Sequence, residues 1–283
     1  MTTIAVVGLG AMGSRIARRF LDAGNELVVW NRDAAKTRPL IEAGAAQADS
    51  PAEAARDADV VVTMVSDPQA LQAVTEGSDG IAAGVNAHTT VIQMSTVGLE
   101  PVARLASALP DGAGLLDAPV LGSVSEAESG TLKVFVGGPE LLVERWTPLL
   151  STLGDVLHVG NLGAGSAAKL VANATLIGTI GLLGESLALA DAVGLPRTAA
   201  FDVLATTSLA AQAERRRGAI ESGNYPPRFA LSLARKDADL ILAASTADVR
   251  ILRAARTWLA DAEASGLGAD DYSAVLTTIL GKE

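Results

Sequence analysis

Hydrophobic and polar positions follow two different rhythms along this chain. Over the first 160 residues, short apolar runs recur at residues 4–7, 27–30, 60–65, 90–94, 114–117, 133–137 and 155–158, each bounded by polar or small residues. Short runs that are mostly apolar suit strands covered on both faces. Stretches with helical spacing separate them, so the pattern predicts a parallel sheet with crossover helices. After Gly160 the rhythm changes. From Gly165 to Val193 there is almost no turn signal, only a long apolar helical pattern stopped by Gly194-Leu195-Pro196. Helices alone follow, at 197–206, 209–222, 231–245, 249–265 and 272–280. The expected fold class is α/β: an N-terminal Rossmann-type doubly wound sheet followed by an all-α C-terminal domain, joined by a long helix. The expected boundaries are 1–161 for the sheet domain, 162–194 for the interdomain helix and 195–283 for a helical substrate and dimerisation domain. Gly178, Gly181 and Gly184 fall along the long helix. Each weakens a helix by about 1 kcal/mol, so their presence predicts another helix packed very closely, with a second subunit as one source of it.

The first strand pattern runs straight into chemistry. Ile4-Ala5-Val6-Val7 leads to Gly8-Leu9-Gly10-Ala11-Met12-Gly13, a G-x-G-x-x-G turn that opens a helix. Gly8 permits the tight turn, and Gly10 lets the main chain approach a pyrophosphate. Gly13 lets the helix lie close on the strand, and the helix N-terminus offers unpaired N–H groups. With a strand before it and a second strand after it, the motif predicts a dinucleotide site. In an open α/β sheet ligands bind at the carboxyl ends of the strands. Asn31 and Arg32, then Val65 and Ser66, then Ser95 and Thr96 should therefore share that crevice. An NAD site usually carries Asp or Glu about 20 residues beyond the glycines. Asn31-Arg32 stands there instead, and a guanidinium can pair a 2′-phosphate through two parallel hydrogen bonds. The expected cofactor is NADPH (NADP+). Asp33 adds negative charge nearby, and an Arg32 lying over the adenine would leave NADH usable as well.

Composition narrows the rest. A chain of 283 residues suits two domains with ample core. The absence of cysteine excludes disulfides, thiolate metal sites and a cysteine nucleophile. His88 and His158 are too isolated for a metal site or a His–Asp relay, so no metal is expected. The net charge is −10, and residues 1–160 hold 19 acidic against 10 basic side chains. That balance makes a poor nucleic-acid partner. Arg215-Arg216-Arg217 reads as an exposed helix face. The apolar run 170–184 is short for a membrane span of about 20 residues. With no leader-like pattern at the N-terminus, the expectations are a cytoplasmic location and no membrane.

Lys169 and Asn173 stand four apart on the long helical pattern, sharing a face. Reducing a carbonyl with NADPH requires a hydride on carbon and a proton on oxygen. A lysine partly stripped of water can supply that proton, and an amide can hold the substrate in line. From spacing alone, a lysine reaching solvent beside a satisfied core asparagine fits at least as well.

Four ordered segments resemble the β-hydroxyacid dehydrogenase family, especially its glyoxylate/succinic semialdehyde reductase branch. They are the glycine motif; Asp117-Ala118-Pro119-Val120-Leu121-Gly122-Ser123 with Glu128-Ser129-Gly130-Thr131-Leu132; the stretch from Gly160 to Lys169 with Asn173; and Phe229-Ala230-Leu231 leading to Lys236-Asp237. The resemblance spans essentially the whole chain. It implies a catalytic role for Lys169 with Asn173 beside it, Thr96 at the nicotinamide ribose and Lys236 on the cofactor side. It further implies that Phe229 and Asp237 frame the substrate cleft, and that N–H groups of Gly122 and Ser123 receive a substrate carboxylate. Leu121 departs from the family, which commonly has serine there; losing one hydrogen bond to a charged group costs about 1.5–3 kcal/mol. The leading expectation is an NADPH-dependent oxidoreductase interconverting a small aldehyde or keto acid and its hydroxyacid, as a homodimer through the helical domain. An imine reductase is the alternative, disfavoured because such relatives generally lack the lysine. A non-catalytic cofactor-binding module is a third.

Overall fold

The structure is a computed structural model that describes residues 2–281. It divides into two compact units, the boundary along the chain falling between Lys169 and Leu170. The first unit is built on nine strands: β1 (Thr3–Val7), β2 (Glu26–Trp30), β3 (Ala46–Gln47), β4 (Val60–Thr63), β5 (Thr90–Gln93), β6 (Gly114–Asp117), β7 (Val120–Leu121), β8 (Leu132–Gly137) and β9 (Gly154–Gly160). The first six lie in the order β3-β2-β1-β4-β5-β6, all parallel. That is the Rossmann order, with its switch point at β1 and β4. Successive residues of a strand face opposite sides. Ile4, Val6, Val29, Val62, Ile92 and Leu116 enter one core; Ala5, Val7, Val61, Val91 and Leu115 enter the other. Both faces are apolar because both are covered, as continuous apolar runs require.

The expected all-parallel sheet needs one correction. β8 runs antiparallel to β6 and β7, and β9 runs parallel to β8. β6 and β7 form one interrupted edge, broken at Ala118-Pro119, with Asp117 opposite Gly137 and Leu121 opposite Lys133. Only residues 122–131 connect β7 to β8, too few for the dozen or more that a parallel crossover needs. An apolar run reports that a strand is buried, not which way it points.

The second unit is helical: Arg197–Leu204, Ala210–Ser222, Leu231–Ala244, Arg250–Ala264 and Val275–Ile279 follow the long helix Ala164–Ala192. By length and composition that helix is the one among the described residues that could cross a membrane. Its Leu170, Ile177, Ile180, Leu183 and Leu187 instead enter the core of the helical unit. Two helices of the same chain, Arg250–Ala264 and Val275–Ile279, pack on its glycines. A Cβ on Gly184 would lie 2.7 Å from Ile279 Cδ1, whereas Gly178 and Gly181 have ordinary 3.4 Å clearance to Ile251 and Ala255.

The arginine triplet also differs from expectation. Arg216 is buried, pairing with Asp271 at 3.2 Å and donating to Tyr272 Oη at 2.8 Å. Asp271 also accepts the Arg228 and Phe229 N–H groups, each at 3.2 Å, and so holds the loop before Leu231. Phe229 lies tilted against Tyr272, ring centroids 5.7 Å apart.

Candidate active site

The glycine loop fits a dinucleotide for reasons visible in its backbone. Gly8 has φ +100°, and a Cβ there would lie 3.0 Å from Val65 Cγ1 and closer still to Met64 O. A Cβ on Gly13 would meet the Gly8 carbonyl oxygen well inside contact distance. Gly10 is different: a Cβ there would meet nothing within 4 Å. The protein's own packing does not require a glycine at 10, so the open side of that residue is available to a phosphate. The helix Ala11–Asp22 begins at Gly10 with no side chain capping it, so its first N–H groups point outward as an anion site. Leu9 completes the turn, and Ala11 and Met12 open the helix. The Leu9 N–H donates to Asn31 Oδ1 at 2.9 Å, and Asn31 Nδ2 donates to the Asp33 carbonyl at 2.9 Å. Asn31 thus braces the glycine loop against the end of β2. Arg32 is exposed. The Asp33 carboxylate is turned into its own chain, accepting the Ala35 N–H at 3.1 Å.

The ends of β4 and β5 are tied together by a residue the sequence did not single out as structural. Buried Ser95 accepts the Val65 N–H at 2.9 Å, and its carbonyl accepts Gln93 Nε2 at 3.0 Å. Half-buried Thr96 follows at the end of β5, and Ser66 is exposed at the end of β4. All these groups gather at the carboxyl edge of the parallel strands.

In the 120s loop the structure departs from expectation. Ser123 caps the helix Val124–Ser129 in a reciprocal box with Glu126, whose Oε2 accepts the Ser123 N–H at 2.8 Å. That N–H is therefore engaged rather than open to a substrate carboxylate. Gly122 is exposed with φ +138°, and Leu121 is half-buried.

Lys169 is only 9% exposed and Asn173 1%, so the solvent-reaching lysine is not what forms. The Asn173 amide is fixed: Nδ2 donates to Asp237 Oδ2 at 2.6 Å, while Oδ1 has no hydrogen-bond partner among the described residues. A buried unpartnered carbonyl oxygen is costly unless something supplies a donor. Asp237 is 2% exposed and pairs with Lys236 Nζ at 2.9 Å. Within the helical unit Asp237 therefore orients Asn173, and Lys236 in turn pairs with Asp237.

The family model for the NAD binding domain of 6-phosphogluconate dehydrogenase matches residues 3–163. A second, the NAD-binding domain of NADP-dependent 3-hydroxyisobutyrate dehydrogenase, matches residues 163–279. The chain belongs to the β-hydroxyacid dehydrogenases of the 3-hydroxyisobutyrate dehydrogenase type. It is 32% identical to the 3-sulfolactaldehyde reductase of Escherichia coli, covering 99% of this chain and 96% of that protein. It is 30% identical to glyoxylate/succinic semialdehyde reductase 1 of Arabidopsis thaliana, covering 98% of each. The 3-hydroxyisobutyrate dehydrogenase of Mycobacterium tuberculosis, solved with L-serine, superposes with a TM-score of 0.86 at 28% identity, covering 99% of both chains. This β-hydroxyacid dehydrogenase is thus an NAD(P)-dependent oxidoreductase of the hydroxyacid and semialdehyde class, on the expected fold. Among the described residues no cluster of His, Cys, Asp and Glu could hold a metal ion.

Proposed function

We propose that this β-hydroxyacid dehydrogenase uses NADPH to reduce a small aldehyde or keto acid to its hydroxyacid, with Lys169 delivering the proton. The carrying observation is a buried lysine one helical turn before an asparagine whose amide nitrogen is pinned by Asp237 and whose oxygen is left as an acceptor. The nicotinamide, when bound, supplies the hydride to the carbonyl carbon. Lys169 gives its proton to the carbonyl oxygen, so the alcohol forms without a free alkoxide. Asn173 Oδ1 holds a donor in line, either the lysine ammonium or the product hydroxyl. Gly8 to Gly13, Asn31, Val65, Ser66 and Thr96 seat the cofactor.

The preference for NADPH rests on exposed Arg32 standing where a ribose-binding carboxylate would be, with the Asp33 carboxylate turned into its own turn. Leu121 and the occupied Ser123 N–H favour a substrate whose acidic group is held elsewhere than in the glyoxylate reductases. Relatives named for sulfolactaldehyde and succinic semialdehyde make both substrates worth testing. A homodimer through the helical domain is supported by Val171, Leu182 and Leu189. These stand 68%, 52% and 64% exposed, and their spacing of 11 and 7 residues puts them on one face of the long helix.

The test is NADPH oxidation at 340 nm against 3-sulfolactaldehyde, succinic semialdehyde, glyoxylate and a cyclic imine, with NADH in parallel. Turnover of an aldehyde acid, faster with NADPH, is expected. Turnover of the imine alone would refute the reading.

A further inference from the structure

Asp117 ends β6 with its side chain fully buried, and a buried carboxylate must be compensated. Its partners are the amide of Gly163, just before the long helix, and that of Ser166 in the helix's first turn. Oδ1 accepts the Gly163 N–H at 2.8 Å and Oδ2 the Ser166 N–H at 2.6 Å. These amides have no partner inside the helix, and a carboxylate beside them also meets the positive end of the helix dipole. The helix thus receives its cap from a strand 46 and 49 residues earlier.

The joint is closed on its other sides by main chain. Gly137 lies opposite Asp117 in β8, and a Cβ there would lie 2.7 Å from both Asn161 O and Gly165 N. A Cβ on Gly165 would lie 2.5 Å from the Phe135 carbonyl oxygen. Two strand ends and a helix start therefore pack backbone to backbone, leaving the first turn no freedom to slide. Lys169 is three residues beyond Ser166, about 4.5 Å further along the axis.

We propose that Asp117 is a positioning residue for the reaction: by clamping the Gly163 and Ser166 amides it fixes the height and rotation of the turn that carries Lys169. This rests on the reading of Lys169 as proton donor. Asparagine at 117 keeps the shape but turns one acceptor oxygen into an NH2 group facing an amide N–H, so the clamp loses one side.

The experiment is a double-mutant cycle on Asp117→Asn and Lys169→Ala, with succinic semialdehyde and NADPH, read beside the Lys169 13Cε resonance of labelled protein. Asp117→Asn should bind NADPH within twofold of the parent while kcat falls about 10- to 100-fold, the range for a misplacement of about 1 Å. KM should move less than threefold. In the Lys169→Ala background the same change should cause no further loss, and the Lys169 Cε titration should shift in the single variant. A kcat within twofold of the parent, or an equal loss with and without Lys169, would overturn the proposal. Should Asp117→Asn not fold, Ser166→Pro takes its place: it deletes one clamped N–H in a first turn where proline is tolerated. If Lys169→Ala keeps full turnover, or the parent reduces no aldehyde, the proton-donor reading fails by itself. The Cε resonance then decides the clamp alone, an unmoved signal refuting it.

Discussion

Placing alanine at Gly10 and, separately, at Gly13 should give opposite outcomes from the same chemical change. At Gly13 the new methyl would lie closer to the Gly8 carbonyl oxygen than the 3.0 Å that real Cβ atoms keep, and 3.3 Å from Met64 Cβ. The helix Ala11–Asp22 must then move off β1, an overpacking cost of about 1–3 kcal/mol and occasionally more. Alanine's better helix propensity, about 1 kcal/mol, offsets only part of that. At Gly10 the backbone sits at φ −71°, ψ −166°, which alanine adopts freely, and the methyl meets nothing. The apo protein should lose no more than roughly 1 kcal/mol as glycine gives way to a poorer N-cap. The methyl does occupy the side a pyrophosphate would approach. Losing one charge-assisted N–H contact costs about 1.5–3 kcal/mol, or roughly 10- to 150-fold in Kd. Thermal melts of the apo proteins and titration calorimetry with NADPH separate the two. Gly13→Ala should lower Tm, whereas Gly10→Ala should keep Tm within about 4 °C and lose affinity. Wild-type NADPH affinity in folded Gly10→Ala would refute the placement of the phosphates.

Other consequences can be checked in parallel. Arg32→Ala should lower kcat/KM for NADPH by roughly 10- to 100-fold, about the worth of a charge-assisted bidentate contact. Its NADH value should change less than threefold, as steady-state kinetics with both cofactors would show. Asp271→Ala strands the buried Arg216 charge and frees the Arg228 and Phe229 amides; breaking such a pair costs about 3–5 kcal/mol, readable by urea denaturation. Burial pushes the Asp117 carboxyl above its ordinary value, the Ser166 and Gly163 amides opposing it only in part. The folded protein therefore binds this proton more tightly than the unfolded chain. The resulting stability is present below the unfolded carboxylate value and fades as pH rises through the raised one. Melts across pH 4–7 should show wild type gaining on Asp117→Asn as the pH falls.

What was legible in the chain was what neighbours in sequence decide. The glycine turn, the covered strands and the long helix each follow from residues within a few positions of one another. The direction of β8 did not, because it depends on the ten residues after Leu121 being too few for a crossover. Arg216 passed for a surface arginine because its partner Asp271 lies 55 residues away. The engaged Ser123 N–H was readable in principle: Ser123 and Glu126 stand at capping-box spacing. Asp117 sat inside a motif read for its loop, while its carboxylate serves amides that only the folded joint brings within reach. Asn173 was found from spacing, but the Asp237 contact that leaves its oxygen as the open end spans 64 residues.

The most direct test of the account is single-turnover reduction of succinic semialdehyde by enzyme preloaded with NADPH, comparing wild type with Lys169→Ala. The predicted result is a hydride-transfer rate at least 100-fold lower in the variant, the scale of a lost general acid, with the NADPH Kd unchanged. Equal rates in the two proteins would contradict the assignment of the proton to Lys169.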